Sequence, residues 1–246
     1  DDGAGTLTDV QTITVTVTNA NDNAPVITSG GGGGTASVNA AENQTAVTTV
    51  TSTDADSDTV AYSLTGGADQ AKFAINAASG ALTFSSAPDF ETPTDAGDTA
   101  GNNTYVVEVT ATDDGAGTLT DVQTITVTVT DANDAPVITS DGGGATASVN
   151  ASENQTAVTT VTSTDADSDT VAYTLTGGAD QGKFAINATT GVLTFQAAPD
   201  LEVPTDADTD GAYVVEVTAT DDGSGTLTDV QTITVTVTDA NDAPVI

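Results

Sequence analysis

Residues 113–138 read DDGAGTLTDVQTITVTVTDANDAPVI, and residues 221–246 read DDGSGTLTDVQTITVTVTDANDAPVI. A near copy occupies residues 1–27, and a second segment, SVNAAENQTAVTTVTSTDADSDTVAYSLTGGADQ from Ser37, recurs nearly unchanged from Ser148. The repeating unit is therefore about 110 residues long, a usual size for a domain. We predict two whole repeats, residues 29–139 and 140–246, preceded by residues 1–28 as the C-terminal strands of a third repeat. Because two strands make no core, we expect the natural chain to continue upstream.

Apolar residues alternate with polar ones in this segment, as they do in strands that bury one face. In residues 124–129, isoleucine and valine alternate with threonine, a residue that suits an exposed β surface. Residues 105–112 alternate in the same way and place one set on a single face: Tyr105, Val107, Val109 and Ala111. We expect the aromatic residues Tyr62, Phe73 and Phe84 to join them in the core.

Five further alternating runs lie between Gly, Asp and Ser turn signals, around residues 37, 47–53, 60–64, 73–76 and 81–84. No helical period is present, and the longest irregular stretch, residues 85–103, is expected to connect the fifth strand to the sixth. Seven short strands in about 110 residues predict an all-β protein of tandem Greek-key β-sandwich repeats in a linear array.

The composition restricts the classes of function. The net charge is -34, with 36 acidic residues and only Lys72 and Lys183 as cations, which argues against binding to nucleic acid or to an anionic membrane. The sequence has no cysteine and no histidine, which removes disulfides, thiolate metal sites and the Ser-His-Asp and Cys-His catalytic arrangements. No apolar run reaches the roughly 20 residues of a membrane span. We therefore expect neither an enzyme nor a membrane-inserted segment.

Acidic residues recur in a fixed order in both whole repeats. In the first, Glu42 stands in AENQT, Asp54 and Asp56 in TDADSD, Asp89 and Glu91 in PDFE, Asp113 in ATDDG, and Asn133 and Asp134 in TDANDAP. This order resembles that of the cadherin repeat, which has a Glu near strand A, a DxD between strands B and C, a D-x-E before strand F, an A-x-D-x-G after strand F and a D-x-N-D-x-x-P linker. The resemblance covers essentially the whole chain.

The resemblance implies calcium sites at the junctions between repeats, with about three ions at each. For the junction that is complete here, it implies Glu42, Asp89, Glu91, Asn133 and Asp134 from the first repeat, and Asp165, Asp167 and Asp221 from the second. For the two half junctions it implies Asn21, Asp22, Asp54, Asp56, Asp113, Glu153, Asp200, Glu202, Asn241 and Asp242. Calcium takes oxygen ligands in flexible geometry, so these residue types suit it.

Several linker positions depart from the family pattern. The last Asn of the linker motif is Ala135 and Ala243 in two linkers, which is harmless where that position offers only a backbone carbonyl. Asn19 replaces the leading Asp of the first linker, and we expect that junction to hold one ion less tightly. Asp131 is a weaker ligand candidate and suits a turn cap equally well.

These features predict a calcium-rigidified extracellular spacer, stalk or filament repeat of a bacterial cell-surface adhesin. Its expected partners are calcium ions and neighbouring repeats of the same chain, with identical chains as partners only in a filament or an adhesive contact. Its extreme acidity and lack of cysteine suit a secreted or cell-surface bacterial protein. The alternatives are a homophilic or glycan-binding adhesive module, an accessory domain of a secreted glycan-active enzyme, or acidic loops that only aid solubility. Near-identical repeats favour the spacer, and a sequence without tryptophan lacks the usual platform for sugar rings.

Overall fold

The computed structural model describes residues 8–97 and 99–241. The chain divides into two compact units, which we call the first unit (Asp1–Thr130) and the second unit (Asp131–Ile246). Both are built from β-strands and short 3-10 turns, which confirms the predicted all-β class. Among the described residues there is no helix with the length and apolar character needed to cross a bilayer.

The first unit contains strands β1 to β9 in three sheets. The strands are β1 Val26–Ile27, β2 Thr35–Ala41, β3 Ala46–Thr49, β4 Ser52–Thr53, β5 Val60–Gly66, β6 Phe73–Ile75, β7 Ala81–Phe84, β8 Thr104–Asp113 and β9 Thr120–Thr130. A four-stranded sheet has the order β2-β9-β8-β5, a three-stranded sheet the order β3-β7-β6, and β1 pairs with β4. All seven predicted strand regions are present.

The second unit repeats this architecture with strands β10 to β18. The strands are β10 Val137–Ile138, β11 Thr146–Ser152, β12 Ala157–Thr160, β13 Ser163–Thr164, β14 Ala172–Gly177, β15 Phe184–Ile186, β16 Val192–Phe195, β17 Ala212–Thr220 and β18 Thr228–Thr238. Their sheet orders are β11-β18-β17-β14, β12-β16-β15 and β10-β13.

Three details differ from the simple seven-strand pattern. The predicted run 47–53 is interrupted at buried Val50, so that β3 and β4 join different sheets. The first strand is split into β1 and β2, and β2 pairs with β9 in parallel, with Val38 opposite Val127. The described residues 8–25 form no strand, and their assignment to a preceding repeat stays a prediction.

The core of each unit lies between the four-stranded and three-stranded sheets. The predicted face of β8 is buried, since Tyr105 is 1% exposed and Val107 and Val109 are fully buried. The Phe73 and Phe84 rings stack with centroids 4.6 Å apart, and Tyr105 meets Phe84 edge to face at 5.3 Å. Burying each large apolar side chain stabilises a fold by about 1.5 to 3 kcal/mol, so this cluster holds the two sheets together.

Two buried carboxylates organise the irregular connection before β8. Asp69 is 1% exposed and accepts the backbone N–H groups of Ala96 and Val106. Asp95 is also buried and accepts the N–H groups of Gly101 and Asn103. Because charged groups are costly to bury unless they are hydrogen bonded, these aspartates fix the path of a loop for which the sequence predicted no order.

The glycine-rich run at residues 30–34 is also held in place. Gly30 and Gly32 have φ values of 62° and 71°, which residues with a side chain rarely adopt. The buried Gln123 of β9 donates its side-chain N–H groups to the carbonyls of Ser29 and Gly33. Gln231 makes the equivalent bonds in the second unit, so this segment is tied to the four-stranded sheet in both units.

We expect Gly80→Ala to destabilise the first unit by more than about 1 kcal/mol. Gly80 has a φ of 70°, and an added Cβ would overlap the carbonyl oxygen of Val50. Urea denaturation followed by circular dichroism measures the change in free energy of unfolding. Gly34→Ala is the matched control, because nothing lies within 4 Å of its added Cβ, and equal effects of the two variants would contradict the assignment.

Candidate cation-binding site

Two groups of acidic side chains occur in each unit. We call the first the linker cluster, because it joins the linker to the DxD loop and to the aspartate at the end of β8 or just after β17: Asn21, Asp54, Asp56 and Asp113 in the first unit, and Asn133, Asp165, Asp167 and Asp221 in the second. We call the other the glutamate cluster: Glu42 and Glu91 in the first unit, and Glu153, Glu202 and Asp239 in the second.

The DxD loop is folded around Asp54. Its Oδ1 accepts the backbone N–H groups of Asp56 at 2.8 Å and Asp58 at 3.2 Å, as short acidic side chains commonly do in turns. Its Oδ2 is buried and accepts no hydrogen bond from the described residues. One oxygen of Asp54 therefore shapes the loop and the other is left for a ligand.

Asp113 is placed by the end of β8 and is 3% exposed. Its Oδ1 accepts the Asn21 side-chain amide at 3.1 Å and the backbone N–H groups of Gly115 and Leu119. Its Oδ2 is buried without a hydrogen bond among the described residues, as is Oδ1 of Asn21. The linker is thus joined to the strand end through Asp113 Oδ1, while Asp113 Oδ2 and Asn21 Oδ1 retain unused acceptor capacity.

Asp56 holds the linker backbone. Its Oδ2 accepts the N–H groups of Asn23 at 2.8 Å and Asp22 at 3.1 Å. The N–H of Asn23, assisted by further amide hydrogen bonds, keeps the pKa of Asp56 below its ordinary value. The Asp22 carboxylate itself is exposed and accepts the Asn23 side-chain amide, so the structure brings its backbone, rather than its carboxylate, to the cluster.

The second unit builds its linker cluster in the same way. Asn133 donates its side-chain amide to Asp221 at 3.1 Å, and the N–H of Asp134 donates to Asp167 Oδ2 at 2.6 Å. Here the buried oxygens without a hydrogen bond among the described residues are Asp165 Oδ2 and Asp167 Oδ1. An open cavity of about 710 Å³ lies beside them, lined by Asp131, Ala132, Asn133, Asp167, Asp169, Gly223 and Ser224.

Asp58 and Asp169 are cluster members that the motif reading missed. The carboxylate oxygens of Asp54, Asp56 and Asp58 lie within 4.8 Å of one another, and Asp169 occupies the matching position in the second unit. Burial, together with the neighbouring carboxylates, raises the pKa of Asp58 and of Asp169. The sequence does contain this signal, as the third acidic residue of DADSD, but the DxD motif covers only the first two.

The glutamate cluster of the second unit is built around Glu153, which is 2% exposed. Its two oxygens accept the N–H groups of Leu201 and Ala240, each at 2.8 Å, and the Ala240 bond comes first among the causes that lower its pKa. Ligand oxygens of Glu153, Glu202 and Asp239 lie within 4.8 Å of one another. Asp239 leads the linker motif and was not predicted as a ligand.

The other predicted residues of the second unit are Asp200, Asn241 and Asp242. Asp200 accepts the N–H of Val203 at 3.0 Å and remains exposed. Asn241 is exposed, and Asp242 lies outside the described residues.

In the first unit, Glu42 is 2% exposed and accepts the N–H of Phe90 at 2.6 Å. Its carboxylate lies within 4.8 Å of that of Glu91. The Asp89 carboxylate accepts the N–H of Thr92 at 2.7 Å, and the Thr92 hydroxyl is the main cause that lowers the pKa of Asp89. That this cluster shares ions with residues of the second unit stays a prediction.

The donor set fits a hard divalent cation. Five buried oxygens of the linker clusters, on Asn21, Asp54, Asp113, Asp165 and Asp167, accept no hydrogen bond from described residues. A buried acceptor without a partner carries a desolvation cost that a bound cation would remove. All available ligands are oxygen atoms, since the sequence contains no histidine or cysteine, and carboxylate and carbonyl oxygens favour calcium or magnesium over softer metals.

Comparison with known proteins agrees with the motif reading. Residues 35–130 and 146–238 match the family model of the cadherin domain. Protocadherin Fat 2 of Rattus norvegicus is 30% identical over 195 residues, which cover 74% of this chain and 4% of that protein. Protocadherin Fat 1 of Homo sapiens is 31% identical over 190 residues, covering 76% of this chain and 4% of that protein. This chain therefore spans only about 4% of the length of these curated relatives.

Solved structures similar to this chain include mouse Cadherin-23 EC22-24. It is 25% identical in sequence, the match covers 90% of this chain and 66% of that chain, and the TM-score is 0.42. Human Protocadherin-24 EC1-2 is 21% identical, with 83% of this chain and 95% of that chain covered at a TM-score of 0.47.

We expect Glu153→Gln to lower the unfolding midpoint of the second unit by several degrees in chelator at neutral pH. A glutamine side chain offers only one acceptor oxygen to the two N–H groups that Glu153 binds. Because the folded pKa of Glu153 is lowered, its contribution is present above the ordinary glutamate pKa and is lost as the pH falls through the lowered value. Thermal unfolding by circular dichroism should therefore show the two proteins converging in acid.

The control is Glu216→Gln, because Glu216 accepts a single hydroxyl, from Thr176, and glutamine can still accept it. A pH-independent difference between wild type and Glu153→Gln would contradict this role for the carboxylate.

Proposed function

This chain belongs to the cadherin family, and from that premise we propose that it is a calcium-rigidified extracellular spacer, one stretch of a repetitive stalk or filament. Each linker would be fixed to the unit that follows it by calcium held in the linker cluster. The glutamate cluster at the other end of each unit would complete the ion sites of the next junction. The bacterial cell surface is the location we propose, from the acidity and the lack of cysteine.

The observation that carries this proposal is the set of buried linker-cluster oxygens that no described N–H group or hydroxyl satisfies. Loops that serve only solubility keep their carboxylates in water, where hydration satisfies them. Here Asp113 is 3% exposed and Asn21 is half-buried, yet each retains an unused oxygen. Buried oxygens without donors are therefore better explained by a bound cation than by a loop that serves only solubility.

The residues that would hold calcium divide by position. In the second unit, Asn133, Asp165, Asp167 and Asp221 would bind at the linker end, and Glu153, Glu202 and Asp239 at the opposite cluster. When bound, the ion would supply positive charge to carboxylates that otherwise repel one another. The residues would supply orientation, since the backbone N–H groups that bind Asp165, Asp221 and Glu153 fix their carboxylates before an ion arrives.

Charge counting supports more than one ion at a junction. The set that the family resemblance nominates contains seven carboxylates: Glu42, Asp89, Glu91, Asp134, Asp165, Asp167 and Asp221. About three calcium ions would bring six positive charges to them. Extracellular modules bind calcium at dissociation constants of about 10⁻⁴ to 10⁻³ M, so the junction would be filled outside a cell and empty inside it.

We expect calcium to extend the chain and chelator to shorten it. Small-angle X-ray scattering of residues 1–246 should give a larger maximum dimension in millimolar calcium than in chelator. In chelator the empty clusters repel one another and free the linkers, so the chain shortens on average. Calorimetric titration on the same protein should show several bound ions. Magnesium at equal ionic strength is the control, since screening alone would act equally with either ion.

If no calcium binds and the scattering does not change, the proposed function is wrong and the acidic clusters are solubilising loops. Bound calcium without a change in dimensions would refute rigidification while leaving calcium binding in place.

We also expect the chain to remain monomeric in calcium. Near-identical repeats that contact only their neighbours need no lateral partner to act as a spacer, and sedimentation velocity at high protein concentration measures the oligomeric state. Calcium-dependent self-association would instead favour the homophilic adhesive alternative or a filament with lateral contacts between identical chains.

A further inference from the structure

Asp58 and Asp169 extend the linker cluster beyond the residues that the family motifs nominate. Each follows a serine with a left-handed backbone, Ser57 at φ 66° and Ser168 at φ 67°, which turns the loop back toward its own DxD pair. The Asp58 carboxylate thereby lies within 4.8 Å of those of Asp54 and Asp56. Its position is fixed by the loop, because its backbone N–H donates to Asp54.

The space around these carboxylates is kept open by glycine. An added Cβ on Gly115 would overlap both Asp58 Oδ2 and the Asn21 side chain. An added Cβ on Gly223 would likewise overlap Asp169 and Asn133. The third aspartate of the loop and the linker asparagine therefore converge on the same glycine in each unit.

In the first unit, this convergence gathers oxygen atoms that lack partners. Asp113 is 3% exposed, and its buried Oδ2 accepts no hydrogen bond from the described residues. The same holds for Oδ1 of Asn21 and Oδ2 of Asp54. The carboxylates of Asp54, Asp113, Asp114 and Asp56 all repel that of Asp58, and no lysine or arginine occurs in residues 1–71. Uncompensated negative charge and unused acceptors therefore occur together at the linker end of the first unit.

We infer that Asp58 and Asp169 each add a carboxylate ligand, outside the family motifs, to the calcium site at the linker end of its own unit. The inference rests on the proposed function in taking the ligand to be a divalent cation. In the first unit the site draws on Asn21, Asp54, Asp58 and Asp113, all of which belong to Asp1–Thr130. In the second unit it draws on Asn133, Asp165, Asp169 and Asp221, which all belong to Asp131–Ile246.

Three carboxylates and an amide oxygen suit calcium better than magnesium. Calcium accepts six to eight oxygen ligands in flexible geometry, whereas magnesium keeps several waters and usually takes only one or two carboxylates.

The test is calcium titration of residues 1–246 by calorimetry, with Asp58→Asn, Asp169→Asn and the double variant. We expect each single variant to lose one bound ion, or to weaken its binding by about tenfold or more. Asp114→Asn and Asp222→Asn are the matched controls: they remove the same charge from the neighbouring turn, where each carboxylate accepts the N–H of a threonine. The controls should change binding by less than about twofold.

A second measurement separates ligation from a structural role. In chelator, Asp58→Asn should raise the unfolding temperature, because it removes a charge that its neighbours repel. In calcium it should lower the unfolding temperature, because an ion is lost. A purely structural role for Asp58 would lower the unfolding temperature in both buffers, and that outcome would overturn the inference.

Gly115→Ala should reproduce Asp58→Asn, because Gly115 needs no positive φ and only the added Cβ disturbs the site.

If wild type binds calcium and Asp58→Asn binds it identically, the inference fails while the proposed function stands. If wild type binds no calcium, the proposed function itself fails.

Discussion

Carboxylate oxygens converge at the linker end of each unit without enough N–H donors to satisfy them, and most other features of that end follow from this shortage. Each aspartate there uses one oxygen to fold its own loop or to hold the linker backbone, as Asp54 and Asp56 do. In Asp54, Asp113, Asp165 and Asp167, the second oxygen is buried without a donor among the described residues. A loop that spends half of its acceptors on geometry and leaves half unused is already arranged for a cation, so little reorganisation would accompany binding.

Elsewhere the same residue type is fully satisfied and acts only in the architecture. Asp69 and Asp95 accept backbone N–H groups with both oxygens, and Asp121 joins β1 to β9 through the N–H of Ile27. Unused acceptor capacity, and not burial, therefore separates supports such as Asp69 and Asp95 from candidate ligands such as Asp54 and Asp113. This distinction explains how 36 acidic residues can serve in one chain both as internal supports and as candidate ion ligands.

The sequence predicted the features that repeat with a period. Alternation placed Tyr105 and Val107 on the buried face, and the ordered acidic motifs placed Asp54 and Asp113 in one cluster. It could not predict the parallel pairing of β2 with β9, because the alternation of apolar and polar residues along a strand does not depend on which strand it pairs with. It missed Asp58 and Asp239 because a family motif names positions and does not measure distances. The buried supports Asp69 and Asp95 were invisible for a similar reason, since their partners are backbone N–H groups that carry no sequence signature.

The pairing of β2 with β9 and of β11 with β18 also bears on the order in which the repeats fold. The decapeptide DVQTITVTVT occupies residues 9–18, 121–130 and 229–238, so β18 fits the register of β2 as well as β9 does. A unit closes only when its last strand is available. In a chain that emerges from its N-terminus, β9 closes the first unit before the copy at residues 229–238 exists. Dilution of the whole chain from denaturant offers all three copies at once, and exchange of these strands between repeats is then the natural route to misfolding.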